Sequence, residues 1–213
     1  METKKWDIDC VIYDCDGVLF DSFEQNRMLY NYIAQSQGRA PLTDEEAHYC
    51  HAHTVYESIH YVFKDTSDKE EGAVAFWKSS INFMDFIVYL KMEPHLTETL
   101  AALKERGVKL AISTNRTTTM KHIMEAFGLN KWFDMVVTAL DVENPKPHPE
   151  SVEKILDVMK MDRERVLYVG DSEVDRGTAR AAGVKFIAYK NQGLEADGAI
   201  DEHLDLLRFL ADG

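Results

Sequence analysis

An α/β fold, a doubly wound parallel sheet interrupted by an all-helical insertion, is what this chain predicts, and three observations predict it. Strand-like apolar runs alternate with helical patterns through most of the sequence. Polar residues stand where three of those runs end, at Asp14, Thr114 and Asp171, and sheets of this kind bind ligands at the carboxyl ends of their strands. After the first run the alternation stops, and about seventy residues of purely helical pattern follow, too many for a simple crossover.

The elements follow from these patterns in order. Strand-like runs lie near residues 8–14, 108–114, 135–138, 166–170 and 184–188. They are continuously apolar rather than alternating, as expected of parallel strands covered on both faces. Helical patterns occupy residues 96–106, 117–127, 149–159 and 175–182. Gly107, Gly128 and Gly183 each follow such a pattern, the usual place of a C-terminal cap. Pro149 suits a first helical turn. The interrupting segment reads as helices over 22–37, 43–60 and 69–91, with Asp44, Glu46 and Ala47 opening the second. The division expected is therefore a core of residues 1–20 and 93–213 with a helical cap of residues 21–92, hinged near 19–22 and 91–94.

Composition narrows the function classes. The chain has 213 residues, 45 % hydrophobic and 29 % charged, enough to bury a sizeable core. A net charge of −13 argues against a duplex nucleic-acid binder, which needs a basic face. It leaves a small anionic substrate open, because a metal ion and a few local cations can dominate the field of a site. The three cysteines, Cys10, Cys15 and Cys50, show no CxxC spacing, which points to a reducing, cytosolic setting. Residues 1–6 lack the apolar core of a signal peptide. No apolar run approaches the roughly 20 residues of a membrane span; the greasiest stretch, 81–90, is broken by Asn82 and Asp85. A soluble cytoplasmic protein without membrane or nucleic-acid partner is expected.

The chemistry concentrates at four places. Asp14-Cys15-Asp16-Gly17 directly follows the run Cys10-Val11-Ile12-Tyr13. Carboxylates at i and i+2 on a strand point the same way, and the glycine lets the backbone turn close to whatever they hold. Like charges so close call for a positive neighbour, which a divalent cation or a reactive phosphorus centre would supply. The second place is the run ending at Ser113, Thr114 and Asn115. The third is Asn144-Pro145-Lys146-Pro147, a stiff loop presenting one lysine. The fourth is Gly170-Asp171-Ser172-Glu173-Val174-Asp175. At these residues the chain resembles the haloacid dehalogenase-like superfamily of phosphotransferases, and within it the branch containing phosphoglycolate phosphatase and beta-phosphoglucomutase. The resemblance covers residues 7–20 and 93–190; the intervening segment matches in length and helical character.

That resemblance implies a Rossmann-like core and a helical cap closing over the carboxyl end of the first strand. It implies a Mg²⁺-dependent phosphatase that hydrolyses a small phosphorylated metabolite, phosphoglycolate-like or a sugar phosphate, through an aspartyl-phosphate. Asp14 would be the nucleophile, and Asp16 the acid that protonates the leaving group and later the base that activates water. Asp14, the backbone carbonyl of Asp16 and Asp171 would ligate the metal, with Asp175 orienting a metal-bound water or Lys146. Thr114, Asn115 and Lys146 would bind the phosphoryl group; one residue of strand drift would exchange Thr114 for Ser113. A monomer or weak dimer is implied.

The cap poses the specificity question. His48, Cys50, His51, His53 and His60 crowd one stretch with Tyr49, Tyr56 and Tyr61. A substrate-contacting loop at His51, His53 and Thr54 is the functional reading, set against a transition-metal site and plain helix-surface histidines. Asp16 stands where dehalogenases lack an aspartate, which favours phosphoryl chemistry. Asn26 and Val55 stand where a gapless alignment places the mutases' cap histidine and arginine, and Pro94-His95 replaces the usual Pro-Gly. A sugar-phosphate mutase and a catalytically idle binding protein are the rivals to a phosphatase.

Overall fold

A computed structural model describes residues 5–211. Along the chain the elements are β1 (Cys10–Tyr13), β2 (Phe20–Asp21), α1 (Phe23–Ser36), α2 (Asp44–Ala52), α3 (Val55–Phe63), α4 (Ser67–Ser80), β3 (Lys91–Met92), α5 (Leu96–Glu105), β4 (Lys109–Ser113), α6 (Thr119–Ala126), β5 (Met135–Val137), α7 (Glu150–Met159), β6 (Val166–Gly170), α8 (Glu173–Ala182), β7 (Lys185–Tyr189) and β8 (Gly198–Ile200). The residues divide into two compact units, one running to Phe20 and resuming at Met92, the other spanning Asp21–Lys91. The two-residue strands β2 and β3 pair where the chain leaves the first unit and returns to it.

The first unit is a six-stranded sheet in the order β5-β4-β1-β6-β7-β8, parallel throughout. Every residue of β1 and β6 is buried, as continuous apolar runs require when both faces are covered. On one face Ile12, Ala111 and Tyr168 pack against Val152 and Ile155 of α7 and Ala179 and Ala182 of α8. The chain winds from β1 to β4 on one side and later to β6 on the other, so the direction of winding reverses at β1. A parallel sheet opens a crevice at such a reversal.

The second unit has its own apolar core, including Leu29, Ile33, Leu42, Ile59, Phe63 and Phe86. Here two sequence expectations are corrected. The helix expected over 43–60 is two helices, because Thr54 caps a new one: its hydroxyl receives the Glu57 amide and its own amide donates to the Glu57 carboxylate. The helix expected over 69–91 stops at Ser80, and a 3₁₀ segment, Phe83–Tyr89, follows with the Asn82 side chain accepting from the Met84 amide. In the first unit the short edge strand β8 and the 3₁₀ segment His203–Phe209 had no expectation at all. No described helix is long and apolar enough to cross a membrane. The three cysteines are free thiols and buried.

His95, just before α5, holds a left-handed backbone with φ of 58° while its Nδ1 lies 2.8 Å from Glu98 Oε2. A side chain is strained in that region and glycine is not. His95→Gly is therefore expected to raise the thermal midpoint by about 2–4 °C. A lowered midpoint in a calorimetric scan would mean that the contact with Glu98 outweighs the strain.

Candidate active site

Register brings the polar strand ends to one level. Tyr13 pairs with Ile112 on one side and Val169 on the other, so Asp14 lies level with Ser113 and Gly170. The pairing runs on past the strands: the Asp14 amide donates to Val169 O and the Thr114 amide to Val137 O, both at 3.0 Å. After Asp14 the chain turns back on itself, with the amides of Leu19 and Phe20 both donating to Cys15 O. Gly17 sits in this turn with φ of +73°, and a Cβ there would run into the Asp171 carboxylate. Backbone angle and space both demand glycine, and the result is that the two acidic loops meet.

Lys146 closes the cluster. Its Nζ donates to Asp14 Oδ1 and Asp175 Oδ1, each at 2.7 Å, and to the Tyr168 hydroxyl at 3.2 Å. Three N–H bonds meet three acceptors, so the buried ammonium is fully satisfied. Asn115 fixes the loop that carries it: Oδ1 receives the Lys146 amide at 3.0 Å and Nδ2 donates to Lys146 O at 3.1 Å. Pro145 and Pro147 bracket the lysine. The Asp175 carboxylate is committed on both sides. Oδ1 takes Lys146 and Tyr168, and Oδ2 takes the Ser172 hydroxyl at 2.6 Å and the amides of Asp171 and Ser172.

Ser113 and Thr114 have different surroundings. Ser113 is fully buried, and its hydroxyl is 2.8 Å from that of Ser151. Thr114 lines a cleft of about 330 Å³ with Asp14, Asp16, Asn115, Arg116 and Lys146. Its Oγ1 accepts the Arg116 amide at 3.1 Å, which leaves the hydroxyl proton to donate elsewhere.

Electrostatics set the demands of the cleft. Burial pushes the Asp14 carboxyl up, to about 8, with Lys146 opposing and Asp175 and Asp16 adding to the rise. Burial and then Asp175 push Asp171 up, to about 7. Burial works on Asp175 in the same sense, yet Lys146, Ser172 and Tyr168 hold it below the ordinary carboxylate range. Burial also opposes the charge on Lys146, but Asp14, Tyr168 and Asp175 keep it well above its ordinary value. Asp14, Asp171 and Asp175 each offer an oxygen within 4.8 Å of the others, the one such group among the described residues. Together with Asp16 they make four carboxylates against the two cations Lys146 and Arg116. Full ionisation leaves two negative charges, and an all-oxygen donor set suits a hard divalent cation.

The cap candidates belong to the second unit. Within the second unit, His51 Nδ1 lies 3.0 Å from Asn26 Nδ2. His53 stacks on Tyr49 at 3.8 Å and donates from Nδ1 to Tyr49 O, and Thr54 caps α3. Sequence reasoning missed three residues of the first unit. Tyr168 reads as an ordinary strand residue, yet its hydroxyl joins Lys146 to Asp175. Arg116 carried no expectation, yet it grips Asp16 through two hydrogen bonds of 2.7 and 2.5 Å. His203 is fully buried against Tyr189 and donates from Nε2 to Val18 O in the turn after Asp16, at 2.8 Å. Only the asparagine at 115, one residue before Arg116, hinted at a polar loop there.

A parallel sheet with acids at the ends of its central strands and a helical unit inserted after the first strand defines a class of α/β hydrolases. The chain belongs to the haloacid dehalogenase-like hydrolases, whose sequence pattern matches residues 11–189. It is 31 % identical over 183 residues to pyrophosphatase PpaX of Halalkalibacterium halodurans, covering 84 % of this chain and 82 % of that one. A stretch of 103 residues is 42 % identical to a PpaX protein of Caldanaerobacter subterraneus subsp. tengcongensis, covering 48 % of this chain and 47 % of that protein. The phosphoglycolate phosphatase of Aquifex aeolicus is 28 % identical over 176 residues, 82 % of this chain and 81 % of that one. Among solved structures, a subfamily IA hydrolase of the same superfamily from Geobacter sulfurreducens superposes with a TM-score of 0.88 at 37 % identity, over 99 % of this chain and 100 % of that one.

The buried imidazole gives a pH signature to folding. Burial lowers His203 from 6.5 to about 4. A base with a depressed folded value contributes stability that is complete above pH 6.5 and is lost as pH falls toward 4. At pH 5 the loss attributable to His203 is about 2 kcal/mol. Denaturant melts of the wild type should therefore weaken more steeply from pH 7 to pH 5 than those of His203→Gln. Parallel curves for the two proteins would contradict the assignment.

Proposed function

We propose that the protein is a Mg²⁺-dependent phosphatase acting on a small phosphorylated metabolite through an aspartyl-phosphate on Asp14. The observation that carries this reading is the Lys146 ammonium shared by the Asp14 and Asp175 carboxylates inside a cleft that Thr114 also lines. A phosphomonoester offers water an unreactive, negatively charged phosphorus, so covalent catalysis and local charge neutralisation are what an enzyme must supply.

In the first half-reaction an oxygen of the Asp14 carboxylate attacks phosphorus. The bond from phosphorus to the ester oxygen breaks, its electron pair stays on that oxygen, and Asp16 delivers the proton. In the second, Asp16 takes a proton from water as the water oxygen attacks the same phosphorus. The bond from Asp14 to phosphorus then breaks, freeing inorganic phosphate and restoring the carboxylate. The Lys146 ammonium faces the charge that builds on the phosphoryl oxygens, and the Thr114 hydroxyl donates to one of them. Asp175 and Tyr168 hold the lysine in place. Asp14, Asp171 and the backbone carbonyl of Asp16 are the groups to hold Mg²⁺, which when bound would neutralise the attacking carboxylate and the phosphoryl oxygens. Because both oxygens of Asp175 are already engaged, its role in this scheme is to orient Lys146 rather than to ligate.

The names of the relatives favour a compact substrate. Pyrophosphate and phosphoglycolate, the substrates those names indicate, share a transferable phosphoryl group next to a second anionic group. We take this chain to act on that class.

Phosphate release from a panel of small phosphoesters tests the function directly. Release should require Mg²⁺ and stop with excess chelator. Asp14→Asn should stay folded while turnover drops by at least about four orders of magnitude, and acid quenching should trap phosphate on the wild type alone. Near-normal turnover in that variant would sink the nucleophile assignment. The neighbouring hydroxyls separate in a second comparison. Thr114→Ser, which keeps the donor, should lose little, whereas Thr114→Ala should lower kcat by about 10- to 100-fold. Ser113→Ala should act on stability through the lost Ser151 contact and leave kcat within about threefold. The reverse pattern would move the role to Ser113.

A further inference from the structure

We infer that Arg116 is the receptor for a second anionic group on the substrate, and that its grip on Asp16 is the resting form of a switch that such a substrate trips. The inference rests on the phosphatase reading of the same cleft. Arg116 Nε and Nη2 meet Asp16 Oδ2 and Oδ1 at 2.7 and 2.5 Å, a fork-to-fork pairing that engages both oxygens of the acid. In that pose both oxygens of Asp16 already accept from the guanidinium, so neither is free to meet a leaving group. The pair must part before Asp16 can carry a proton to the ester oxygen.

Parting is unfavourable unless something replaces the carboxylate. The Arg116 side chain is only 12 % exposed, against 38 % for that of Asp16, and breaking a charge pair on a cation that buried is costly. Its backbone is pinned on both sides, the amide by Thr114 Oγ1 and the carbonyl by the Ala139 amide. The head group therefore stays at the cleft and moves only through its own side-chain torsions. The other cation of the cleft, Lys146, has all three N–H bonds committed. A planar carboxylate or a phosphate next to the scissile oxygen fits the fork in place of Asp16. Exchange of one anion for another keeps the guanidinium paired throughout and frees Asp16 beside the leaving group. A phosphoester with an uncharged leaving group cannot make this exchange, and Asp16 stays held. The fork thus selects compact substrates bearing two anions, and it couples selection to readiness of the acid.

The test compares 2-phosphoglycolate with its uncharged isostere 2-phosphoglycolamide, on the intact protein with Mg²⁺. Wild type should favour the carboxylate by about 10- to 100-fold in kcat/KM. Arg116→Gln should bring the two substrates to within about threefold of each other by losing the advantage on the charged ester, and Arg116→Lys should fall between. Equal treatment of the two esters by wild type overturns the inference while leaving the phosphatase reading intact. An equal drop on both esters in Arg116→Gln also overturns it. No phosphate release from either ester, or from any other phosphoester in the panel, would overturn both readings together. Should Arg116→Gln fail to fold, the wild-type comparison and the lysine variant still decide.

Discussion

One ammonium group organises the acidic end of the sheet. Asp14 comes from the turn after β1 and Asp175 from the first turn of α8, and without Lys146 between them two buried carboxylates would face each other across a few ångströms of low-dielectric interior. A buried ion pair of this kind gives little net stability, because desolvation offsets most of the attraction. What it does give is position: each acid can satisfy the lysine from one place only, and the Tyr168 hydroxyl and the Asn115 amide fix the lysine in turn. The position of Asp14 is thereby set, through Lys146, by Asp175, Tyr168 and Asn115.

The same logic explains why small residues matter here as much as charged ones. Gly17 lets the turn after Asp14 lie against Asp171, and a Cβ on Gly170 would run into the Asp175 side chain. Glycine at 17 lets the two acidic loops meet, and glycine at 170 lets the second fold closely against its own Asp175. Full ionisation of the four acids would leave two negative units after Lys146 and Arg116 are counted, the balance that the proposed Mg²⁺ would meet.

Much of this was legible in the sequence because strand ends are. An apolar run followed by a polar pair announces both a buried strand and the crevice beyond it, and Asp14, Thr114 and Asp171 were all placed in that way. What escaped had a physical reason. Tyr168 sits inside a buried strand, where its ring looks like core and only the structure reveals which way the hydroxyl points. Arg116 stands in a loop, where an arginine is by default a solvated charge; its partner lies 100 residues away. The break at Thr54 is legible, since Thr54-x-x-Glu57 has the spacing of a helix start. The closing segment carrying β8 and His203 is too short and irregular for periodicity to detect.

The central place of β1 in the sheet also has a consequence for synthesis. Both of its partners come much later: β4 begins at Lys109 and β6 at Val166. Residues 21–91 meanwhile carry a core of their own. At ribosomal speeds of about 5–20 residues per second, this wholly apolar strand therefore waits several seconds before its first sheet neighbour exists. The strand that ends at Asp14 is thus made long before the neighbours that bury it.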